Sequence, residues 1–467
     1  MTLGDSAFPN GASWSSQGII AFTPIADSTA LQRVPDAGGA AQSLTHLLKG
    51  DNAQRWPDFL PGGKAVLFAA GTNAIGFDNA GVVVQSLGTD ERRDLVPVGT
   101  APSYARSGHL IYAQGGSLLA VPFDAQRLTT LGAAVPVVEG VLQSPTSGAA
   151  QYSLSATGSL VYVSGGLRSA QTKLVWVGRN GAEQPLAAPP HAYFAPRLSP
   201  DGRRVAVGII EQDPQSWLYD LSRETLTRFT FEGTSNLNPT WTPDGKRIVF
   251  DSLQRGPLNL FWQLADGSGG PEQLSTGEYI RIPSSISPDG KLVAFFEVNP
   301  TTRRDIWILQ LSDRKAHLFL RTPYDEAVPM FSPDGRWLAY VSDESGRYEI
   351  YVQPYPGPGG KWQISTEGGV EPMWNPNGRE LFYRTGDKMM AVDIAPQPSF
   401  TIGKPRMLFE GPFELAPVPT SNYAVSLDGQ RFLMLKPAEQ EQAAPTQIVV
   451  VQNWFEELKQ KVPAGKK

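Results

Sequence analysis

The chain contains no cysteine among its 467 residues and only four histidines. Without thiols it can form neither disulfide bonds nor thiolate metal sites, and it has no cysteine nucleophile. The histidines, at positions 46, 109, 191 and 317, are too far apart for a short His-rich metal motif. These absences exclude thiol chemistry and leave the redox compartment open.

Charges of one sign and long apolar runs are also scarce. Charged residues make up 18% of the chain, the net charge is −5, and the two signs are interspersed. Because no basic stripe is available to neutralise phosphates, we expect no nucleic-acid partner. No apolar run reaches 18 residues, and the first residues lack a basic start and an apolar core. We therefore predict neither a membrane span nor a signal peptide in this chain.

Turn-forming residues are abundant instead, with 47 Gly and 40 Pro. A Ser/Thr-Pro-Asp-Gly turn recurs before short apolar segments at residues 199–202, 242–245, 287–290 and 332–335. Proline presets φ at the first corner, aspartate tolerates the second, and glycine supplies a positive φ where the next strand begins. The pattern predicts β-hairpins in which each aspartate bonds the backbone of its own turn rather than a metal.

When looser copies are included, glycine occupies this turn position ten times, at intervals of 43 to 51 residues. These glycines are Gly18, Gly63, Gly108, Gly158, Gly202, Gly245, Gly290, Gly335, Gly378 and Gly429. A period of about 40–45 residues with four short strands per unit is typical of propeller blades, whereas helical repeats would show a 3.6-residue periodicity. The sequence therefore predicts an all-β propeller of about ten four-stranded antiparallel blades.

A longer period relates the third and fourth units to the ninth and tenth. Most matching residues are 270 or 271 positions apart, as Tyr104 is from Trp374 and Tyr152 from Tyr423. We interpret this as a six-bladed module present twice, with two blades missing at the N-terminal side of the first copy. We predict blades 1 to 4 over residues 1–187, a six-bladed module over 188–452, and a helix and tail over 453–467 capped by Asn453. A single ten-bladed ring is the alternative; either that ring or an oligomer would remove the open sheet edges of a four-bladed module.

No well-known catalytic motif accompanies the repeats. The Gly-x-Ser-x-Gly elbow, the phosphate-binding loop, His-Glu-x-x-His and the dinucleotide fingerprint after a strand are all absent from the sequence. We therefore predict no catalytic residue from motifs.

Polar side chains recur just before each innermost strand of the second module, where the central channel should open. They are Tyr193, Asn236, Asn238, Arg281, Glu326 and Glu371. Converging carboxylate and amide oxygens can hold a hard cation such as Ca²⁺ or orient a small ligand. Such a cation could act as a Lewis acid on an ester or a phosphotriester. The plainer interpretation is that these six residues are solvated and line the channel; we treat them as ligand-binding candidates.

The Ser/Thr-Pro-Asp-Gly turns and the apolar strands after them resemble those of the TolB-like propeller family over about residues 188–451. More narrowly, segments 331–335, 342–347 and 351–354, with the closing Asn453-Trp454, resemble the C-terminal extracytoplasmic propeller region of bacterial membrane-anchored serine/threonine protein kinases. The resemblance implies a periplasmic or extracytoplasmic module that binds proteins or peptides. Kinase activity is not implied, because the kinase motifs are missing, and no individual binding residue is carried over.

Two functions follow from these observations. The first is a non-catalytic sensor or scaffold that recognises a protein, a peptide or a small ligand at the channel mouth. The second is a Ca²⁺-dependent hydrolase of esters, lactones or phosphotriesters with the cation in the channel. We favour the first, although propellers host both and the fold alone does not choose between them.

Overall fold

A computed structural model describes residues 10–23, 30–48, 51, 53–71, 77, 80–144, 147–166, 171–211, 214–233, 235–299, 302–395, 400–416, 420–438 and 447–463. These residues form ten antiparallel sheets and one helix. The chain divides into two compact units: unit 1 holds residues 1–170 and 439–467, and unit 2 holds residues 171–438. The predicted all-β propeller of about ten blades is confirmed.

Unit 2 contains six sheets, five of which consist of consecutive strands. Blade 5 comprises Tyr193–Leu198, Arg204–Ile209, Gln215–Asp220 and Thr225–Arg228; blade 6 comprises Asn236–Trp241, Arg247–Ser252, Asn259–Leu264 and Glu272–Gln273; blade 7 comprises Arg281–Ile286, Leu292–Asn299, Arg303–Gln310 and Lys315–Leu320; blade 8 comprises Glu326–Phe331, Trp337–Ser342, Glu349–Pro354 and Trp362–Gln363; blade 9 comprises Val370–Trp374, Glu380–Thr385, Lys388–Ala395, Thr401–Ile402 and Arg406–Glu410.

The sixth sheet of unit 2, the closing blade, combines strands from both ends of the unit. Its inner strands are Tyr423–Val425 and Arg431–Pro437, and its outer strands are Thr172–Gly178 and Glu183–Pro185. The inner strand of the closing blade contacts the inner strands of blades 5 and 9. Unit 2 is therefore a closed six-bladed ring, and the alternative of one ring of ten blades is excluded.

The recurrent turns have the predicted chemistry. In the first, Ser199 Oγ donates to Asp201 Oδ1 over 2.6 Å and accepts from the Arg204 amide over 2.9 Å. Asp201 Oδ1 also accepts from the Arg203 amide over 3.1 Å. The same contacts recur in the turns that begin at residues 242, 287, 332 and 426. The turn aspartates therefore bond the backbone of their own turns, as predicted.

Aromatic side chains fasten adjacent blades together. The indole of Trp241 in blade 6 donates to the Arg197 carbonyl of blade 5 over 3.1 Å, and Trp374 in blade 9 donates to the Met330 carbonyl of blade 8 over 3.0 Å. Both tryptophans are buried. Each therefore contributes apolar burial and also satisfies its own N–H group inside the core.

Unit 1 contains four sheets. Blade 1 comprises Ala12–Trp14, Ile19–Phe22, Gln32–Pro35 and Gln42–Ser43; blade 2 comprises Ala53–Phe59, Ala65–Gly71, Gly81–Ser86 and Arg92–Val96; blade 3 comprises Thr100–Ala105, His109–Gln114, Ser117–Asp124, Thr129–Thr130 and Val135–Val138; blade 4 comprises Tyr152–Leu154, Leu160–Val163 and Ile448–Val451. The helix Trp454–Lys461 packs Trp454 and Leu458 into the core that blades 3 and 4 share.

The unit boundaries differ from the predicted ranges at both ends of unit 2. The predicted boundary lay at residues 187/188, but strands Thr172–Gly178 and Glu183–Pro185 belong to the closing blade of unit 2. The predicted six-bladed module ended at residue 452, yet strand Ile448–Val451 pairs with blade 4 of unit 1. The physical reason is long-range pairing: in each unit the last sheet is completed by strands distant in sequence.

The 270-residue period has a structural counterpart. Blade 3 and blade 9 each carry an extra strand, Val135–Val138 and Arg406–Glu410, that pairs with the third strand of the blade. The predicted C-terminal helix is also present. Its cap is different from the prediction, because Asn453 is left-handed with φ +55° and makes no side-chain capping bond.

Candidate functional site

The six candidate residues lie at the start of the inner strands of blades 5 to 9, at one end of unit 2. Tyr193, Asn236, Arg281 and Glu326 are first residues of their strands, and Glu371 is the second residue of its strand. Consecutive inner strands contact each other around the ring. We call this end the rim: the first residues of the inner strands together with the loops that precede them.

The rim side chains are more buried than a solvated channel lining would be. Five of the six are at most 4% exposed, and Arg281 is half-buried. The interpretation as solvated residues is therefore wrong for these five. Hydrogen bonds to neighbouring segments satisfy most, but not all, of their polar atoms.

A backbone feature sets this end of the strands apart. Four inner strands of unit 2 hold a left-handed residue directly before a proline: Ala195, Asn238, Val328 and Glu371, with φ between +48° and +58°. Proline has no N–H to donate, so the ladder breaks and the register shifts at this point. The bulge changes which side chains of the strand share a face, and so it positions the rim residues.

In blade 6, both asparagines bond to neighbouring strands. Asn236 Nδ2 donates to Gln215 Oε1 of blade 5 over 2.8 Å, and Asn238 Nδ2 donates to Asp251 Oδ1 over 2.7 Å. Burial raises the pKa of Asp251 to about 7, against the opposing effect of the Asn238 bond. Asn238 Oδ1 and Asp251 Oδ2 are buried and have no hydrogen-bond partner.

In blades 7 and 8, charged groups face one another. Arg281 Nε donates to Glu297 Oε2 over 2.8 Å. Glu326 Oε1 accepts from the Thr322 hydroxyl, whereas Glu326 Oε2 is buried and has no partner. The pKa of Glu326 is raised to about 7, mainly by burial and in smaller part by the negative charges of Asp305 and Asp325.

These two acidic neighbours are themselves paired. Asp325 accepts from Arg304 Nη1 over 2.9 Å and from the Tyr348 hydroxyl over 2.6 Å. Asp305 accepts from Arg321 Nε over 2.8 Å. Each still has one buried oxygen without a partner. The rim between blades 7 and 8 therefore holds three buried carboxylates, Asp305, Asp325 and Glu326, each with one oxygen that has no hydrogen-bond partner.

Glu371 of blade 9 contributes hydrogen bonds where the ring closes. Its carboxylate accepts from the amides of Ala416 over 2.7 Å and Asn422 over 3.3 Å. Asn422 Oδ1 in turn accepts from the Ala195 amide of blade 5 over 2.9 Å. Burial raises the pKa of Glu371 to about 6, although Arg384 and Arg197 oppose this. Glu371 therefore links blade 9 to the closing blade and, through Asn422, to blade 5.

Sequence reasoning missed the exposed part of the rim. Three loops that lead into successive inner strands each present a solvent-exposed aromatic side chain: Phe231 is 70% exposed, Tyr279 is 38% exposed and Tyr324 is 42% exposed. The Arg228 guanidinium lies 5.4 Å from the Phe231 ring centroid. The available signal was an aromatic residue beside Glu or Pro in a segment between two predicted strands.

Unit 2 contains two surface cavities of interest. One of about 130 Å³ is lined by Phe231, Asn236 and Phe250, so it joins a candidate residue to an exposed aromatic. The other, of about 320 Å³, lies at the opposite end of the ring between the turns of blades 8 and 9, against Trp337, Trp374 and Arg379. The smaller cavity reaches the rim at Phe231 and Asn236, and the rest of its lining includes Gln263 and the loop of residues 267–271.

Two absences concern the part of the chain that the structure describes. There, no three His, Asp or Glu side chains are placed to hold a metal ion. Calcium as a ligand stays a prediction. This part of the chain also contains no helix that is long and apolar enough to cross a membrane.

The fold defines the class as a β-propeller, and part of the chain is similar to a known family. Residues 151–327 match the family model described as the TolB beta propeller domain. The predicted resemblance to TolB-like propellers is therefore confirmed, while the narrower resemblance to kinase-linked propellers stays a prediction.

Two curated relatives share part of the chain. An uncharacterized protein of Agrobacterium fabrum (strain C58) is 25% identical over 199 residues, 40% of this chain and 67% of that protein. The uncharacterized peptidase YuxL of Bacillus subtilis (strain 168) is 20% identical over 205 residues, 34% of this chain and 31% of the peptidase.

Solved structures with a similar fold include two TolB proteins. TolB from Acinetobacter baumannii has 16% identity and a TM-score of 0.40, covering 74% of this chain and 80% of that chain. A protein assigned as TolB from Agrobacterium tumefaciens has 17% identity and a TM-score of 0.48, covering 58% of this chain and 99% of that chain.

Proposed function

We propose that this protein is a non-catalytic binding module, a sensor or a scaffold, whose rim on unit 2 recognises a protein or a peptide. The observation that carries this proposal is the row of exposed aromatics Phe231, Tyr279 and Tyr324 on three successive rim loops. Tyrosine and phenylalanine are enriched at protein interfaces, where large rigid side chains bury much area at a small entropy cost.

The surroundings of these aromatics support a peptide ligand. The small cavity beside Phe231 offers a pocket for one side chain of a partner. Asp325 and Glu326 follow Tyr324 directly and are buried, so they anchor the loop that presents this aromatic ring. A partner with apolar or aromatic anchor residues would match the exposed rings and the cavity.

The buried rim residues have a supporting role in this proposal. The bonds of Asn236, Asn238 and Glu371 hold the inner strands in register and so fix the loops that carry the aromatics. Preorganised loops lose less entropy on binding. A periplasmic or extracytoplasmic location, implied by the family resemblance, is part of the same proposal. Fractionation of the native host would test it, and recovery of the protein only in the cytoplasm would contradict it.

A peptide selection tests the binding surface. Peptides selected from a random phage library on the purified chain should lose affinity about tenfold or more for each hot-spot residue among Phe231→Ala, Tyr279→Ala and Tyr324→Ala. Two matched controls should bind as the parent does. Leu318→Ala removes an exposed apolar side chain from an outer strand, and Arg379→Ala changes the cavity at the opposite end. Peptides that bind the triple aromatic variant undiminished, or that lose affinity only in Arg379→Ala, would contradict the proposal.

A further inference from the structure

Blade 4 of unit 1 has an outer edge that no strand covers in the described residues. Its three strands run in the order Tyr152–Leu154, Leu160–Val163, Ile448–Val451, so Ile448–Val451 is the edge strand. The backbone N–H and C=O groups on the outer side of such a strand are free to pair with another chain.

One face of this sheet is apolar and exposed. Val161 pairs with Val450, and Val163 pairs with Ile448, which puts these four side chains on the same face. Val161 is 37% exposed, Val450 59% and Ile448 73%. The opposite face, which holds Leu160, packs into the core with the C-terminal helix.

The closing blade of unit 2 shows what covers this face in the other copy of the repeat. The two blades align because Tyr152 pairs with Tyr162 as Tyr423 pairs with Met434. The equivalent positions are Leu433 for Val161, Leu435 for Val163, Trp176 for Val450 and Leu174 for Ile448.

In unit 2 that face is fully covered. Leu174, Leu433 and Leu435 are 0% exposed and Trp176 is 6% exposed. They form one core cluster with side chains of the next blade, blade 5. The same face that blade 5 covers in unit 2 is therefore exposed at blade 4 of unit 1.

The edge strand also lacks the features that prevent edge pairing. Its sequence Ile-Val-Val-Val has high β-propensity, no charge and no proline. Every other outermost strand of three or more residues that the structure describes carries a charged residue or a proline. These strands are Arg92–Val96, Val135–Val138, Glu183–Pro185, Thr225–Arg228, Lys315–Leu320 and Arg406–Glu410. Among the outermost strands of this length that the structure describes, only Ile448–Val451 has an edge without a charge or a proline. The partner strand that shares this property is therefore Ile448–Val451 of a second copy of the chain.

We propose that blade 4 is a self-association surface, through which two copies of this chain pair their Ile448–Val451 strands antiparallel about a two-fold axis. Identical antiparallel edges are self-complementary, so the contact closes at a dimer instead of growing into a filament. The pairing would join the two three-stranded sheets into one six-stranded sheet and would place the Ile448 and Val450 side chains of the two copies next to each other across the new strand pair. This inference is independent of the binding role of the rim.

Sedimentation velocity over a wide range of protein concentration tests the proposal. The parent chain should sediment as a dimer that dissociates on dilution, and Val450→Lys, at a position already mostly exposed, should sediment as a monomer with an unchanged circular dichroism spectrum. Leu318→Lys, an exposed apolar position on the charged outer strand of blade 7, should remain a dimer. A parent that is monomeric throughout, a dimer that persists in Val450→Lys, or assembly beyond the dimer would overturn the proposal.

A thiol cross-link gives a second readout. The chain has no cysteine, so Val450→Cys introduces its only thiol. Mild oxidation should convert this variant to a covalent dimer, because the two-fold axis brings the edge strands together. Leu318→Cys should give little covalent dimer under the same conditions. Equal cross-linking of the two variants would contradict the proposed interface even if a dimer exists.

Discussion

Replacement of Glu326 by glutamine should stabilise unit 2 at alkaline pH. The side chain is 1% exposed, one of its oxygens has no partner, and the carboxylates of Asp305 in blade 7 and Asp325 just before blade 8 lie nearby. Glutamine keeps the shape and an oxygen that accepts from Thr322, and it offers an N–H₂ group to the acidic surroundings. The substitution therefore removes a buried charge without opening a cavity.

The size of the effect follows from the pKa. Burial, helped by Asp305 and Asp325, raises the pKa of Glu326 from its ordinary value of 4.5 to about 7. Between these values the folded protein keeps a proton that the unfolded chain releases, so the free energy of unfolding falls as the pH rises through this window. At about 1.4 kcal/mol per pKa unit, the ionised carboxylate destabilises the fold by about 3 kcal/mol above pH 7. Glu326→Gln should recover about 2 to 3 kcal/mol at pH 8 and almost nothing at pH 4.

Urea unfolding of the parent and the variant at both pH values measures this difference. Glu278→Gln is the matched control, because Glu278 is an exposed carboxylate on the rim and its replacement should change stability little at either pH. Local protection of blade 8 from hydrogen exchange should rise in parallel with the global stability of the variant at pH 8. A difference between the parent and Glu326→Gln that is independent of pH, or a variant less stable at pH 8, would refute the reasoning.

Two other substitutions test the electrostatics and the turn chemistry. Burial alone would raise the pKa of Glu380, but hydrogen bonds from Arg179, Asn375 and Arg406 lower it to about 2. Glu380→Gln should therefore cost about 2 to 3 kcal/mol at pH 7 and progressively less as the pH falls from 4.5 towards 2; an equal cost at pH 7 and pH 3 in urea unfolding would contradict this. Gly290→Ala should destabilise the fold by about 1 kcal/mol in the same assay, because Gly290 has φ +70°. Gly88→Ala, in a turn without positive φ and with no atom near an added Cβ, should be close to neutral; equal losses at the two sites would argue against turn strain.

The local elements were predictable because their signals are local. Each turn needs a residue with positive φ and an aspartate that bonds its own backbone, so turns such as 287–290 marked the hairpins one by one. The period between turns then predicted the number of blades. The extra strands Val135–Val138 and Arg406–Glu410 agree with the 270-residue offset, since equivalent blades keep equivalent insertions.

The unit boundaries were not predictable from those signals. Strand Thr172–Gly178 follows blade 4 in sequence but pairs with Arg431–Pro437, more than 250 residues away. A strand's own apolar pattern is satisfied by either neighbour, so it does not select its partner. Closure of the six-bladed ring selects the distant strand, and Ile448–Val451 then completes blade 4.

The rim was predicted in position but not in character. Sequence reasoning placed Asn236, Glu326 and Glu371 correctly at the inner strand starts. It could not show that these residues are buried, because burial depends on partners such as Gln215 and Ala416 from other segments. The exposed Phe231 was overlooked for the converse reason: an aromatic residue beside a strand is usually part of the core.

Hydrogen exchange of the chain with and without a selected peptide tests the central claim most directly. If the rim is the binding surface, the peptide should slow exchange in the three loops that carry Phe231, Tyr279 and Tyr324, and should leave the turns at residues 332–335 and 375–378 unchanged. Protection confined to those turns, or to unit 1, would contradict the assignment of the rim as the binding surface.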